Sequence, residues 1–203
     1  MPRTSERGGP QTRARISQVA TRLFIERGFD AVTVAEVARE AGVSSVTVFN
    51  HFPRKEDLLL DRTDDAVSLL RETVAGRPDD VDALAALRAA ALRVLDDRLP
   101  LSGLADGAVP FFRTVAASPA LLARTREIVA ELQGVLRTAL EEDPRFDGDA
   151  ALLSAFVIGG YATVFVESAA RLMAGEEREA VAADHRRRVE RLFDAVRAGV
   201  PLG

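Results

Sequence analysis

The sequence contains no cysteine, one lysine and two histidines among 203 residues. Without cysteine there are no disulfides, no thiolate metal sites and no thiol nucleophiles, which fits a reducing compartment. The spacings of common catalytic centres are missing too: no His-x-x-x-His or Glu-x-x-His, no P-loop and no Gly-x-Ser-x-Gly. A carboxylate-only hydrolase survives this exclusion, and no residue pattern points to one. No metal or cofactor is therefore expected. The amino-terminal stretch "MPRTSERGGPQTR" has no apolar core segment and is not read as a secretory signal; residues 1–9 are expected to form a flexible arm. The longest apolar run, Ala150 to Val166, is interrupted by Ser154, Gly159, Gly160 and Thr163. It falls short of the ~20 residues of a membrane span. A buried helix, a cytoplasmic protein and no membrane partner are the expectations. Neither a sequence repeat nor a long low-complexity tract is present.

What is present is ordinary globular composition, 47% hydrophobic and 29% charged, with an uneven distribution of charge. Residues 1–55 carry a net +4 and the remainder a net −8. A basic front on an acidic body directs attention to the front as the part that meets a polyanion. Arg3 and Arg7 in the arm add to that front.

Apolar residues recur at spacings of three and four from end to end, so the fold class is all-α, with about nine helices. Pro10 and Thr12 open a first helix with an Ile16, Ala20, Leu23, Phe24 stripe, and Gly28 stops it. Thr33 begins "TVAE", a capping box in which Glu36 reaches back to the Thr33 amide, with Val32 and Val37 at staple positions. Eleven residues later Ser44 caps again, between Val43 and Val48. Gly42 supplies the positive φ of the intervening turn, and Ala38 and Ala41 let the two short helices touch. A longer helix is predicted over 54–76, then helices at about 79–99, 103–116, 119–142, 149–174 and 177–198. The boundaries that follow are a helix-turn-helix unit over 10–55 and a larger body over 56–203, the 54–76 helix connecting them.

On the helix that starts at Ser44, Val48 and Phe52 face the core with Val37 and Ala41. Ser45, Val46, Phe49 and Asn50 then point outward, leaving a valine and a phenyl ring on what should be a wet face. A DNA major groove accounts for them: Asn pairs with an adenine edge, Val and Phe touch thymine methyls, and the short hydroxyls reach bases or phosphates. Lys55 opposes the dipole of the helix predicted to follow it, a poor structural position and a good one for a phosphate ligand.

"TVAEVAREAGVSSVTVFNHFPRKEDLL", Thr33 to Leu60, resembles the helix-turn-helix signature of TetR-family transcriptional regulators. With the first helix the resemblance covers residues 10–60. It implies that Thr33, Thr47, His51 and Lys55 hold the DNA backbone, while Ser45, Val46, Phe49 and Asn50 face bases; Ser44 is a further expected DNA contact. Relatives often carry tyrosine where Phe49 stands, and some carry a guanine-reading arginine where this chain has Ala35, so more of the readout here falls to DNA shape.

In the body, the 150–166 helix is apolar nearly all round and needs cover on two sides. The resemblance implies a homodimer packed through the last two long helices, with Phe156, Gly159, Gly160, Val189, Leu192, Phe193 and Val196 at the interface, so that paired heads read a palindrome. It also implies a chamber for a small apolar or acyl-type effector, formed by Leu104, Phe111, Phe112, Arg113, Leu132, Tyr161 and Phe165, with Arg113 as an anchor for an acidic group. His185, in "DHRRRVER", is expected on a solvated face among arginines paired along their own helix. The function expected is a ligand-responsive one-component regulator, a repressor of transcription released by its effector. The competing classes are a helical adaptor that keeps the fold without DNA and the carboxylate enzyme.

Overall fold

A computed structural model of the chain describes residues 8–199. Among the described residues there are nine α-helices and no strand: α1 Gly8–Arg27, α2 Val34–Glu40, α3 Ser45–His51, α4 Thr63–Ala75, α5 Ala83–Asp96, α6 Ala108–Ala117, α7 Pro119–Glu141, α8 Ala150–Met173 and α9 Arg178–Gly199. Short 3-10 turns occupy Glu56–Leu58 and Pro100–Ser102. The chain divides into two compact units, one of residues 1–61 with 110–125, the other of residues 62–109 with 126–203. The 110–125 segment therefore belongs with the head, although its place in the sequence put it in the body.

The head is built around the stripe expected of α1. Ile16, Ala20, Leu23 and Phe24 are buried with Val37, Ala38, Ala41, Val48 and Phe52 from the two short helices. Helix α1 begins at Gly8, two residues before Pro10. Proline is tolerated in a first turn, whose N–H groups lack intrahelical partners, so it did not mark the start. Residues 8 and 9 of the arm expected over 1–9 thus lie in α1, and residues 1–7, with Arg3 and Arg7, lie outside the described residues. Leu121, from the start of α7, is fully buried in the same core, and Phe111 and Val115 of α6 pack against it.

The single helix predicted over 54–76 is replaced by the 3-10 turn and α4. Leu58 and Leu59 are buried in the head and Leu60 packs on the same cluster. Three consecutive residues of a straight α-helix fan over about 200°, so they cannot all enter one core, and the chain departs from the α conformation to seat them.

In the body, α9 packs on both α8 and α5, and α4 packs on α5. Asp82 and Asp149 cap α5 and α8, accepting from the amides of Ala85 and Leu152, each at 2.8 Å. Arg77 and Asp143 form an ion pair with both side chains buried. Arg145 donates to the carbonyls of Val74, Ala75 and Arg77 at 3.3, 3.3 and 3.0 Å. The first two contacts satisfy carbonyls at the end of α4, which have no intrahelical donors. Gly160 admits Leu192, since a Cβ there would overlap its Cδ1.

Helix α8 has 24 residues, with a mean hydropathy of 1.7 over an 18-residue stretch, long and apolar enough by composition to cross a membrane. One side, with Leu153, Val157, Val164 and Leu172, is buried. The opposite side leaves Leu152, Phe156 and Val166 exposed at 41%, 46% and 59%. Cover on that second side is not supplied by the described residues.

Two expectations about α9 are corrected. Val189, Phe193 and Val196 are buried inside the chain itself, and Leu192 meets Gly160 of the same chain, so this stripe is consumed by intrachain packing. Only Phe156 of the residues assigned to a dimer face is exposed. His185 is not solvated but fully buried: its Nδ1 lies 3.0 Å from Ser168 Oγ, its ring meets Tyr161 edge-on, and its Nε2 has no hydrogen-bond partner among the described residues. The neighbouring arginines pair partly along α9, Arg186 with Glu190 and Arg187 with Asp184, and partly across elements, Arg186 with Asp96 and Arg188 with Glu167. Position 185 follows Val181 and precedes Val189 at four-residue steps, which places it on the buried stripe.

Candidate nucleic-acid interface

The geometry of α2 and α3 is fixed by short-range chemistry. Thr33 Oγ1 accepts from the Glu36 amide at 3.2 Å, and the Glu36 carboxylate accepts from the Thr33 amide at 2.8 Å, a complete capping box. The Thr33 amide, then Arg27, hold the Glu36 carboxyl down to about 2. Gly42 takes φ +65° in the turn, a conformation that side chains with a Cβ resist. The Val43 amide there reaches back to Ala38 O at 2.9 Å. Ser44 then caps α3 by accepting from the Thr47 amide at 3.0 Å.

On α3 only Val48 is buried. Val46 is 69% exposed and Phe49 50% exposed, beside exposed Asn50 and half-buried Ser45. The four residues assigned to bases thus share an outward surface that the described residues do not cover, with two apolar side chains at its centre. Burial in a complementary surface gains roughly 25 cal/mol per Å² of apolar area, a gain left uncollected in the free head.

The residues assigned to the DNA backbone are more constrained. Thr33 and Ser44 spend hydroxyl capacity on capping, and Thr47 Oγ1 shares a 2.9 Å hydrogen bond with Ser44 Oγ. The His51 side chain is half-buried, and its carbonyl accepts from Arg13 at 2.6 Å. Lys55 differs most from expectation. Its ammonium donates to Phe29 O at 2.6 Å and lies 4.2 Å from the Phe29 ring centroid and 5.7 Å from that of Phe24. Desolvation lowers its pKa, against the pull of Asp30, Glu56 and Glu36. No α-helix begins at Lys55 for its charge to oppose, only a three-residue 3-10 turn. The lone lysine is a brace that ties this turn to the α1–α2 loop. Lys55→Met is accordingly expected to lower stability by about 1–2 kcal/mol in urea titrations. It should leave the salt dependence of DNA affinity unchanged, whereas losing a phosphate ligand lowers the slope by ~0.9.

Sequence reasoning missed the contribution of 110–125. Ser118 donates to Asp30 at 3.3 Å, and Arg124 Nε donates to Asp57 at 2.9 Å with both side chains mostly buried. These contacts join residues 67 and 88 positions apart, beyond the reach of any local pattern.

The residues assigned to the effector chamber are divided between the units. Phe111, Phe112 and Arg113 fall in the head unit, and Leu104, Leu132, Tyr161 and Phe165 in the body. Phe111 packs on the head core, Arg113 is exposed, and Tyr161 is engaged with His185. Burial pushes the Tyr161 hydroxyl up to about 12. Two body clefts have other linings: one of about 300 Å³ includes Ala130, Gly134 and Ala155, and one of about 360 Å³ includes Leu69, Val94 and Leu101.

Two capped short helices joined through a positive-φ glycine, with an uncovered face on the second, define a helix-turn-helix head. Residues 16–61 match the family model described as "Bacterial regulatory proteins, tetR family". The HTH-type transcriptional repressor KstR2 of Rhodococcus jostii is 34% identical over 97 residues, covering 46% of this chain and 47% of KstR2. The HTH-type transcriptional regulator TtgR of Pseudomonas putida is 31% identical over 103 residues, covering 48% of this chain and 47% of TtgR. The chain thus spans about half the length of each. The protein in the SmeT–triclosan complex shares the fold, with a TM-score of 0.59 at 19% identity over 95% of this chain and 93% of that one.

Proposed function

We propose that the protein is a transcriptional repressor that binds a palindromic DNA site as a homodimer and is released by a small apolar or acyl-type effector. The observation that carries the reading is the uncovered Val46 and Phe49 pair on a helix whose ends and turn are otherwise fully specified. Ser45 and Asn50 beside them supply polar contacts to base edges. The second copy is supported by α8. Leu152, Phe156, Gly159, Thr163 and Val166 follow alternating steps of four and three, none is charged, and four are exposed with Gly159 half-buried. A 3.5-residue repeat of this kind is the pattern of a helix seam that packs against another helix. The pairing surface proposed is therefore this face of α8, in place of the α9 stripe.

The effector reading draws support from the named ligand of the SmeT complex and from the body clefts. The 110–125 segment, anchored in the head through Leu121, Ser118 and Arg124, continues along α6 and α7 into body residues. An effector that binds better to a body conformation strained at these anchors draws the equilibrium away from the DNA-competent head.

Selection of duplexes from a randomised pool, followed by affinity measurement with and without triclosan as first probe, tests the proposal. Enrichment of an inverted repeat is expected. A wild-type protein that enriches no sequence refutes the DNA reading, and the adaptor takes its place. Phe156→Asp is expected to give a monomer in sedimentation, and to lower affinity for the selected duplex by at least ~100-fold through loss of the second head. A Phe156→Asp dimer as tight as wild type would place the interface elsewhere.

A further inference from the structure

Helix α3 has seven residues, two turns, and such a helix has little intrinsic stability. Its orientation rests on its caps and on the side chains it buries. The amino-terminal end has Ser44; the carboxyl-terminal end has no cap of its own sequence beyond the amide of Phe52, which returns to Val48 O. The terminal carbonyl, that of His51, is met instead by α1. Arg13 Nη1 donates to it at 2.6 Å, and the guanidinium lies 4.3 Å from the ring centroid of Phe52, the residue that follows the helix. The other terminal nitrogen of Arg13 donates to Asp61 O at 3.4 Å, and Ser17, one turn further along α1, donates to the Asp61 carboxylate at 2.5 Å.

From this geometry we propose that Arg13 is a positioning residue for base reading, fixing the pitch of α3 from its carboxyl-terminal end. A cation at a helix carboxyl terminus is favoured by the helix dipole, and its hydrogen bond to the last carbonyl is charge-assisted. The planar guanidinium bridges two carbonyls and covers a ring at once, which an ammonium cannot do. Arg13 thereby ties the end of the reading helix to Asp61, the last residue of the first head segment. Two of its donors are directed at backbone carbonyls of the head, so its charge serves the shape of the base-reading surface instead of neutralising phosphate. A tilt of α3 about its Ser44 end displaces Phe49 and Asn50 more than Ser45, so loss of the brace lowers discrimination among sequences before it lowers general attraction to DNA.

The inference rests on the DNA-binding reading, and the experiment separates the two. Wild type, Arg13→Met and Arg13→Lys are titrated, below the melting temperature of all three, with the duplex that wild type enriches and with a scrambled duplex, each between 50 and 200 mM salt. Arg13→Met keeps an apolar stem over Phe52 and removes the donors. It is expected to lower the ratio of specific to non-specific affinity roughly tenfold, the range of a lost charge-assisted hydrogen bond, with the salt slope on scrambled duplex unchanged. Arg13→Lys retains one donor for the His51 carbonyl and is expected to keep the ratio within about threefold of wild type. A parallel fall on both duplexes with a shallower slope makes Arg13 a phosphate ligand and overturns the proposal. An unchanged ratio with lowered melting temperature makes it purely structural, which overturns it equally. A ratio for Arg13→Lys as low as for Arg13→Met overturns it too, because the carbonyl contact would then not be the cause. If wild type enriches nothing, the DNA-binding reading itself fails and the inference falls with it.

Discussion

Phe49→Asp is expected to lower affinity for the selected duplex at least ~100-fold, through like-charge repulsion of several kcal/mol against the phosphates, while the fold persists. The side chain is half exposed and lies outside the buried head cluster, so its removal opens no cavity. A carboxylate near the carboxyl-terminal end of α3 opposes the dipole, a cost of about 0.3–1 kcal/mol. The melting temperature should consequently drop by no more than roughly 4 °C. Phe24, fully buried in the same unit, sets the contrast: Phe24→Ala is of the class that costs about 3–5 kcal/mol. Calorimetry and fluorescence anisotropy on the same Phe49→Asp preparation check both halves of the expectation. Retained wild-type affinity would remove the uncovered face of α3 from the DNA contact.

Acidification is expected to destabilise the body through His185. Burial, then the nearby Arg188 guanidinium, hold its pKa at about 4 against the opposing pull of Asp184. In the unfolded chain the group titrates near its ordinary value of about 6.5. Between these values the unfolded state binds more protons than the native state, so stability rises with pH there. The contribution is complete above about pH 6.5 and is lost as pH falls toward 4, a change of about 3 kcal/mol for a shift of this size. For a chain of this length that corresponds to roughly 6–12 °C in melting temperature. Carboxylates titrate nearby, so the diagnostic is the difference between wild type and His185→Phe, which retains an aromatic ring against Tyr161 and removes the titration. The melting temperature of the variant should vary less between pH 6.5 and 4. A difference curve flat over that interval would show that His185 makes no such contribution.

The parts of the site legible in the sequence are those whose cause lies within one or two helical turns. The Thr33 and Glu36 box, the Ser44 cap, the glycine at 42 and the division of α3 into a buried Val48 and exposed Val46 and Phe49 follow from spacing. The parts that were not legible depend on a partner far along the chain. Lys55 was expected in the first turn of a helix; the Phe29 carbonyl and ring that hold it are 26 residues away. His185 looked solvated because its neighbours are arginines, although its four-residue spacing from Val181 and Val189 was a signal that could have placed it inside. The α9 stripe was correctly recognised as apolar, but periodicity states that a face is buried and not which surface buries it.

The sequence by itself determined the all-helical class, most helix starts, the helix-turn-helix unit and the outward face of its second helix, because caps, turns and periodicity act through adjacent atoms. Tertiary structure alone decided that residues 110–125 complete the head, that Lys55 and Arg13 turn inward as braces, and that α8 keeps an uncovered seam once α9 is spent. Such assignments depend on which distant surfaces meet, and each is set by the competition of one apolar face or one cation among several partners, a choice made only when the whole chain packs.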